Sequence, residues 1–175
     1  MNRRSFIRIS GSAALAASPA AVVSAAGRAK MADKHYINAV TGLISDWRRK
    51  DIDAVLARVA DDIVWYNHVG SPPKHGKAEM RALLEPMAAS ITDIRWRIFN
   101  HAVDDNRIFL EGADDFVLIA EKRRVAIPYM GIMNFRGSLI SEWRDYFDRA
   151  LFDRLKAGEP TPPEIAVLLD RPAVP

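Results

Sequence analysis

Two carboxylates fall on sheet faces that are otherwise apolar. Side chains of a strand alternate between its two faces, so each face can be read at every second residue. In Arg107–Ala120 one face carries Ile108, Leu110, Gly112, Asp114, Phe116 and Leu118, and the other carries Arg107, Phe109, Glu111, Ala113, Asp115 and Val117. In Leu139–Phe147 the apolar face is Leu139, Trp143 and Phe147, with Ser141 and Asp145 interleaved. An ionised carboxylate in such surroundings is costly unless partnered. Burial raises the pKa of a carboxylic acid, and two neighbouring acids in different surroundings divide into a proton donor and a proton acceptor. Asp114 and Asp145 are therefore the first candidates for acid–base chemistry.

Two further strands contribute polar groups. In Arg123–Phe135 the residues Val125, Ile127, Tyr129, Gly131 and Met133 share a face, which sets the Tyr129 hydroxyl in the same apolar space. In Ile63–Val69, Trp65, Asn67 and Val69 lie on one face and Tyr66 and His68 on the other. Periodicity alone leaves open which of these two sets looks inward. His68 titrates near neutral pH and suits a general base. The apolar side chains Phe116, Ile127, Trp143 and Phe147, with Tyr129, form the expected substrate-binding wall for a small hydrophobic molecule.

The elements that position these groups follow from spacing. Ile37, Val40, Leu43, Ile44 and Trp47 recur at helical intervals over Lys34–Lys50, and Asp51 or Asp53 can cap a second helix through Ile52, Val55, Leu56 and Val59. Ile63–Val69 is β-branched and aromatic, and it stops at Gly70-Ser71-Pro72-Pro73. Lys77–Ala88 returns to helical spacing through Met80, Leu83, Leu84 and Met87. Four long strand-like segments follow, at 94–103, 107–120, 123–135 and 139–147, separated by short polar breaks that suit hairpins. The order ααβαββββ, with a short helix at Ala150–Lys156 and a Pro-rich tail, predicts an α+β fold. Its curved, mostly antiparallel sheet should wrap over helices as a cone with an apolar pocket.

Composition narrows the function classes. The 175 residues are 49% hydrophobic and 27% charged, with 25 Lys+Arg against 22 Asp+Glu. Arg3, Arg4 and Arg8 hold the whole basic excess, so the chain after residue 25 is electrically balanced. A balanced chain with no long basic run offers little to a phosphate backbone, and no nucleic-acid partner is expected. Residues 1–25 read as an export signal: Arg3-Arg4-Ser5-Phe6-Ile7 resembles the twin-arginine signal, followed by an Ala-rich apolar stretch and Val23-Ser24-Ala25. Localisation in the periplasm, with no membrane attachment of the mature form, is the expectation. Residues 26–33 then form a linker, 34–157 the folded domain and 158–175 the tail. Cysteine is absent, and no His-Glu-x-x-His, Gly-rich phosphate loop or G-x-S-x-G motif occurs. Neither a metal nor another cofactor is expected.

Trp143-Arg144-Asp145-Tyr146-Phe147-Asp148 after a strand resembles the last strand of the limonene-1,2-epoxide hydrolase family. That family sits within the broader nuclear-transport-factor-2-like, or SnoaL-like, cone fold. Tyr66-x-His68 with Pro72-Pro73 and Gly76 is similar to the family's Tyr-x-Asn, Pro-Pro and Gly, and Glu111-x-x-Asp114 to its Glu-Arg-x-Asp. The resemblance spans roughly residues 34–155. It implies that Asp114 and Asp145 are the two acids acting on an epoxide and its attacking water, without metal or covalent intermediate. It also implies that Tyr66 holds the water and that Tyr66 and His68 face inward. Two departures stand out: Gly112 takes the place of the Arg between the acids, and His68 that of the Asn. Without the Arg the acids should share a proton more readily. His68 with an Asp as base also suits a dehydratase, isomerase, lyase or polyketide cyclase, chemistries hosted by the same fold. A third reading is a non-catalytic binding or dimerisation module. A homodimer through the sheet's outer face, where Val117, Ile119, Met130 and Ile132 cluster, follows by analogy with the fold.

Overall fold

The computed structural model describes residues 19–174, with side chains from residue 33 onward. The export-signal reading of residues 1–25 falls largely outside these described residues. Helix α1 runs Pro19–Arg48, so residues 26–33, read from the sequence as a linker, lie within it. Helix α2 (Ile52–Ala57) starts at Asp51, whose side chain accepts a hydrogen bond from the Ala54 backbone N–H at 3.0 Å. Strand β1 (Val59–Tyr66) begins four residues earlier than its aromatic run suggests, because Val59 and Ala60 are already buried in the sheet. A two-residue strand β2 (Lys74–His75) precedes helix α3 (Gly76–Ser90), and a two-residue β3 (Ile91–Thr92) follows it. Strands β4 (Arg97–Asp104), β5 (Arg107–Leu118), β6 (Arg123–Arg136) and β7 (Leu139–Tyr146) form the body of the sheet. Helix α4 (Arg149–Ala157) is capped by Asp148 and ends at Gly158, which takes φ 114°. Helix α5 (Pro163–Leu169) lies within the Pro-rich tail.

The fold is α+β, as the element order predicts. The sheet order is β2-β1-β7-β6-β5-β3, with β4 also paired to β5. All pairings are antiparallel except β1–β7, which is parallel. Bulges at Ile98/Asn100, Val59/Val64 and Asn134/Phe135 bend the strands and curve the sheet. Helices α1, α2 and α3 fill the concave side through Val40, Leu43, Trp47, Val55, Leu56, Met80 and Leu84. This packing leaves a cavity of about 180 Å³ between the helices and the sheet.

The tail crosses the outer face of the sheet. Arg97 Nη1 donates to the Leu169 carbonyl at 2.6 Å, Arg171 pairs with Glu111, and the Val174 N–H donates to the Ile98 carbonyl at 2.7 Å. Arg171 and Arg97 both stack on Phe99. Met130 and Ile119 on that face stay exposed. Among the described residues no helix is long and apolar enough to cross a membrane.

Candidate active site

The cavity collects most of the residues singled out by face analysis. Asp114, Asp145, His68, Tyr129, Trp143, Phe116, Ile127 and Phe147 all line it. Helix residues Leu43, Trp47, Val55, Leu84 and Met87 close the opposite side, and Arg149 and Phe152 of α4 stand with His68 and Phe147. The result is an apolar chamber with two acids on its sheet wall. Among the described residues no group of three or more His, Asp or Glu side chains is gathered as for a metal ion.

Tyr66 is placed elsewhere, and the phase expected for β1 is corrected. Ile63 and Trp65 are buried toward the helices, and Trp65 and Asn67 line the cavity. Tyr66 lies outside the cavity lining, with Arg144 5.5 Å from its ring centroid. The physical reason is the pleat: Ile63 and Trp65 are the large apolar side chains of the strand, and burying them turns Tyr66 outward. His68 reaches the cavity because β1 ends at Tyr66, so strict alternation no longer holds two residues later. The pair Tyr66-x-His68 is therefore not carried into the cavity together: His68 lines it and Tyr66 does not.

The two acids sit in different surroundings. Asp145 is held by two indoles: Trp143 Nε1 donates to Oδ1 at 2.7 Å and Trp65 Nε1 donates to Oδ2 at 3.2 Å. Burial pushes its pKa up to about 7, opposed by those two donors, and the nearby Asp114 adds to the rise. Asp114 has no such support, since its buried Oδ1 has no hydrogen-bond partner among the described residues. Burial pushes it to about 7 as well, with the negative charge of Asp115 adding to the rise. Asp115 itself is buried on the other face, paired with Arg124 and more distantly with Arg97. The surroundings favour the ionised form at Asp145 and the protonated form at Asp114.

The departure at Gly112 has a steric cause. A Cβ built there would lie 2.1 Å from the Arg97 carbonyl oxygen and 3.0 Å from Cε1 of Tyr129. Gly112 pairs with Ile98 beside the β4 bulge, which brings the Arg97 backbone over it. No arginine fits at this position without moving β4. Among the described residues Arg149 is the one arginine of the lining, and it belongs to α4 beside His68 rather than to the strands that carry the acids.

His68 Nδ1 lies 2.8 Å from Asn67 Oδ1, which makes Nδ1 the donor and leaves Nε2 as the basic nitrogen. Burial, then Arg149, lowers its pKa, so the imidazole is neutral at pH 7. Its ring centroid is 5.9 Å from that of Phe147.

Trp65, Asn67 and Trp96 are among the lining residues that the sequence reading does not assign to the site. Trp65 and Asn67 were one of two open faces, and the apolar bulk of Ile63 and Trp65 was the signal for choosing them. Although β4 itself starts one residue later, Trp96 belongs to the apolar alternation Ile94, Trp96, Ile98 of the strand expected at 94–103, which is the signal for it. It stacks on Trp143 at 5.7 Å and 11°, and Trp143 stacks in turn on Trp65 at 5.1 Å.

Comparison with known proteins bears on the fold and the family. An M. tuberculosis LEH-like epoxide hydrolase is 26% identical over 69% of this chain and 88% of its own, with a TM-score of 0.60. An NTF2-like protein of unknown function from Burkholderia pseudomallei is 22% identical over 69% of this chain and 96% of its own, at TM-score 0.62. A putative polyketide cyclase from Xanthomonas campestris is 18% identical over 70% of this chain and 97% of its own, at TM-score 0.63. The latter two share the fold. No curated protein matches the chain. Residues 34–159, most of the sequence, match the model of the limonene-1,2-epoxide hydrolase catalytic domain, and the chain belongs to that family.

Proposed function

We propose that the protein is a cofactor-independent hydrolase that adds water to the epoxide of a small, largely apolar molecule. The observation that carries this reading is the asymmetric pair of half-buried acids in one apolar cavity. Asp145, held by two N–H donors, takes a proton from water. The water oxygen attacks an epoxide carbon, the C–O bond breaks, and its electron pair goes to the ring oxygen. Asp114, whose Oδ1 has no internal partner, supplies the proton to that oxygen. The product is a vicinal diol, and one proton has moved from Asp114 to Asp145. Solvent exchange returns the pair to its starting state. Asn67, which lines the same cavity, is the candidate for orienting the water.

A second reading is supported by Gly112. A pair of acids with no guanidinium between them, beside a neutral His68, also suits elimination or isomerisation of a hydroxy-ketone. Incubation of the protein with terpene and aryl epoxides in heavy-oxygen water separates the two. The hydrolase reading expects diol carrying one labelled oxygen, lost in Asp145→Asn with the fold intact. Absence of labelled diol together with turnover of hydroxy-ketones overturns it.

A further inference from the structure

The ring of Tyr129 occupies a seat made by two glycines. Gly112 is its direct cross-strand partner on β5, and Gly131 follows it by two on β6. A Cβ at Gly112 would be 3.0 Å from Tyr129 Cε1, and one at Gly131 would be 3.2 Å from Cε2. Both edges of the ring therefore lie over positions that have no side chain, and the phenol reaches the cavity without lifting off the sheet.

The seat also lies between the acids. On β6, Ile127 is paired with Asp114 and Gly131 with Asp145, and Tyr129 stands midway on the same face. The Cβ position of Gly131 is 3.5 Å from Asp145 Oδ1, so the phenol and that carboxyl share one patch of backbone. The hydroxyl oxygen accepts a hydrogen bond from Trp96 Nε1, and the Trp96 ring meets the phenol edge-on at 5.8 Å. That bond occupies an oxygen lone pair and leaves the O–H proton to be donated. Among the described residues, no acceptor takes it.

A buried hydroxyl without an acceptor and a buried acid oxygen without a partner thus line one cavity. What both lack is an oxygen atom belonging to something else. We propose that Tyr129 is a catalytic residue that, together with Asp114, donates a hydrogen bond to the reacting oxygen of the substrate. This rests on the reading of Asp114 as the acid, and it adds the second donor. The N–H of Trp96 polarises the phenol toward donation, as in any chain of hydrogen bonds. Burial, opposed by the Trp96 hydrogen bond and helped by the nearby acids, holds the Tyr129 pKa well above its ordinary value, so the proton stays on the phenol and is offered as a hydrogen bond. A donor that is neutral throughout leaves the charge of the acid pair uncompensated. The preferred substrate then carries a single acceptor oxygen on an apolar frame, in a ring or as a carbonyl.

The infrared stretch of a bound, unreactive ketone reads this directly, because each donated hydrogen bond lowers the carbonyl frequency. Cyclohexanone, one oxygen on an apolar ring, is the probe. In the full chain the bound band should lie below its position in an apolar solvent. In Tyr129→Phe it should move back up, and kcat/KM for the epoxide should fall about 100-fold, the usual effect of removing one such donor. Trp96→Phe keeps the phenol and removes the group that polarises it, so it should shift the band the same way by less. It serves if Tyr129→Phe does not fold. A band at the same frequency in the variants and the unaltered chain overturns the proposal, as does a bound ketone with no lowered band. A Tyr129-dependent band without epoxide turnover keeps Tyr129 and removes the hydrolase reading. Turnover with a Tyr129-independent band does the reverse.

Discussion

Replacing Trp143 by Phe tests whether the indoles set the protonation of Asp145. Trp143 Nε1 donates at 2.7 Å to the half-buried Asp145 carboxylate, the shorter of its two supports. A hydrogen bond to a charged group is worth about 1.5–3 kcal/mol, which corresponds to roughly 1–2 pKa units. Losing it should lift Asp145 from about 7 to roughly 8–9. The productive form needs Asp145 ionised and Asp114 protonated, with Asp114 also near 7. With the two treated as separate sites, that form falls roughly 5–50-fold at neutral pH, and the optimum moves up by about half to one unit. The assay is kcat against pH on the epoxide turned over best. Phe keeps an aromatic ring between Trp65 and Trp96, and the unfolding midpoint separates lost packing from lost chemistry. A uniform drop in rate with an unmoved optimum would refute the assignment of Asp145 as a base tuned by indole donors.

Stability should also depend on pH. Asp114 rises from 3.8 to about 7 on folding, so between those values the folded chain binds a proton that the unfolded chain releases, and stability falls as pH rises through that window. Asp114→Asn should remove up to roughly 4 kcal/mol of that decline, seen as a gain in urea midpoint above neutral pH and little change near pH 4. A variant with the parent's pH slope contradicts the burial of an acid at this site. The phase of β1 predicts that Tyr66→Phe keeps full activity while Asn67→Ala loses at least about tenfold in kcat; the opposite ranking would return Tyr66 to the site. Gly112→Ala sets a Cβ 2.1 Å from the Arg97 carbonyl, and it should destabilise by about 1–3 kcal/mol in thermal unfolding, whereas a neutral change would mean that β4 yields freely.

The face pattern of the three long C-terminal strands carried most of the site. Asp114, Asp145, Tyr129 and the apolar wall were legible because long strands bury alternate residues, and a polar residue in the apolar set stands out. Strand β1 was ambiguous because it has large side chains on both faces and stops just where its polar residues begin. The parallel pairing of β1 with β7 was not legible either, since alternation records which face is buried and not which strand lies alongside. Two-residue strands such as β2 and β3 have no period to read. Trp96 shares the apolar alternation of Ile94 and Ile98, which marks it as buried, but its role depends on where Tyr129 and Trp143 come to rest. The steric demand at Gly112 comes from a bulge in β4, which a sequence read one strand at a time does not reveal.

All four tryptophans of the chain, Trp47, Trp65, Trp96 and Trp143, line the same cavity. Every indole chromophore is thus a witness to the same few ångströms, and none dilutes the signal from a distant surface. Three of them form a stack whose polar edges end on Asp145 and Tyr129. Ultraviolet emission of the unlabelled protein should therefore report ligand entry, product departure and the titration of the acid pair. The substrate can be sought by watching the chain's own light change, before any turnover is known.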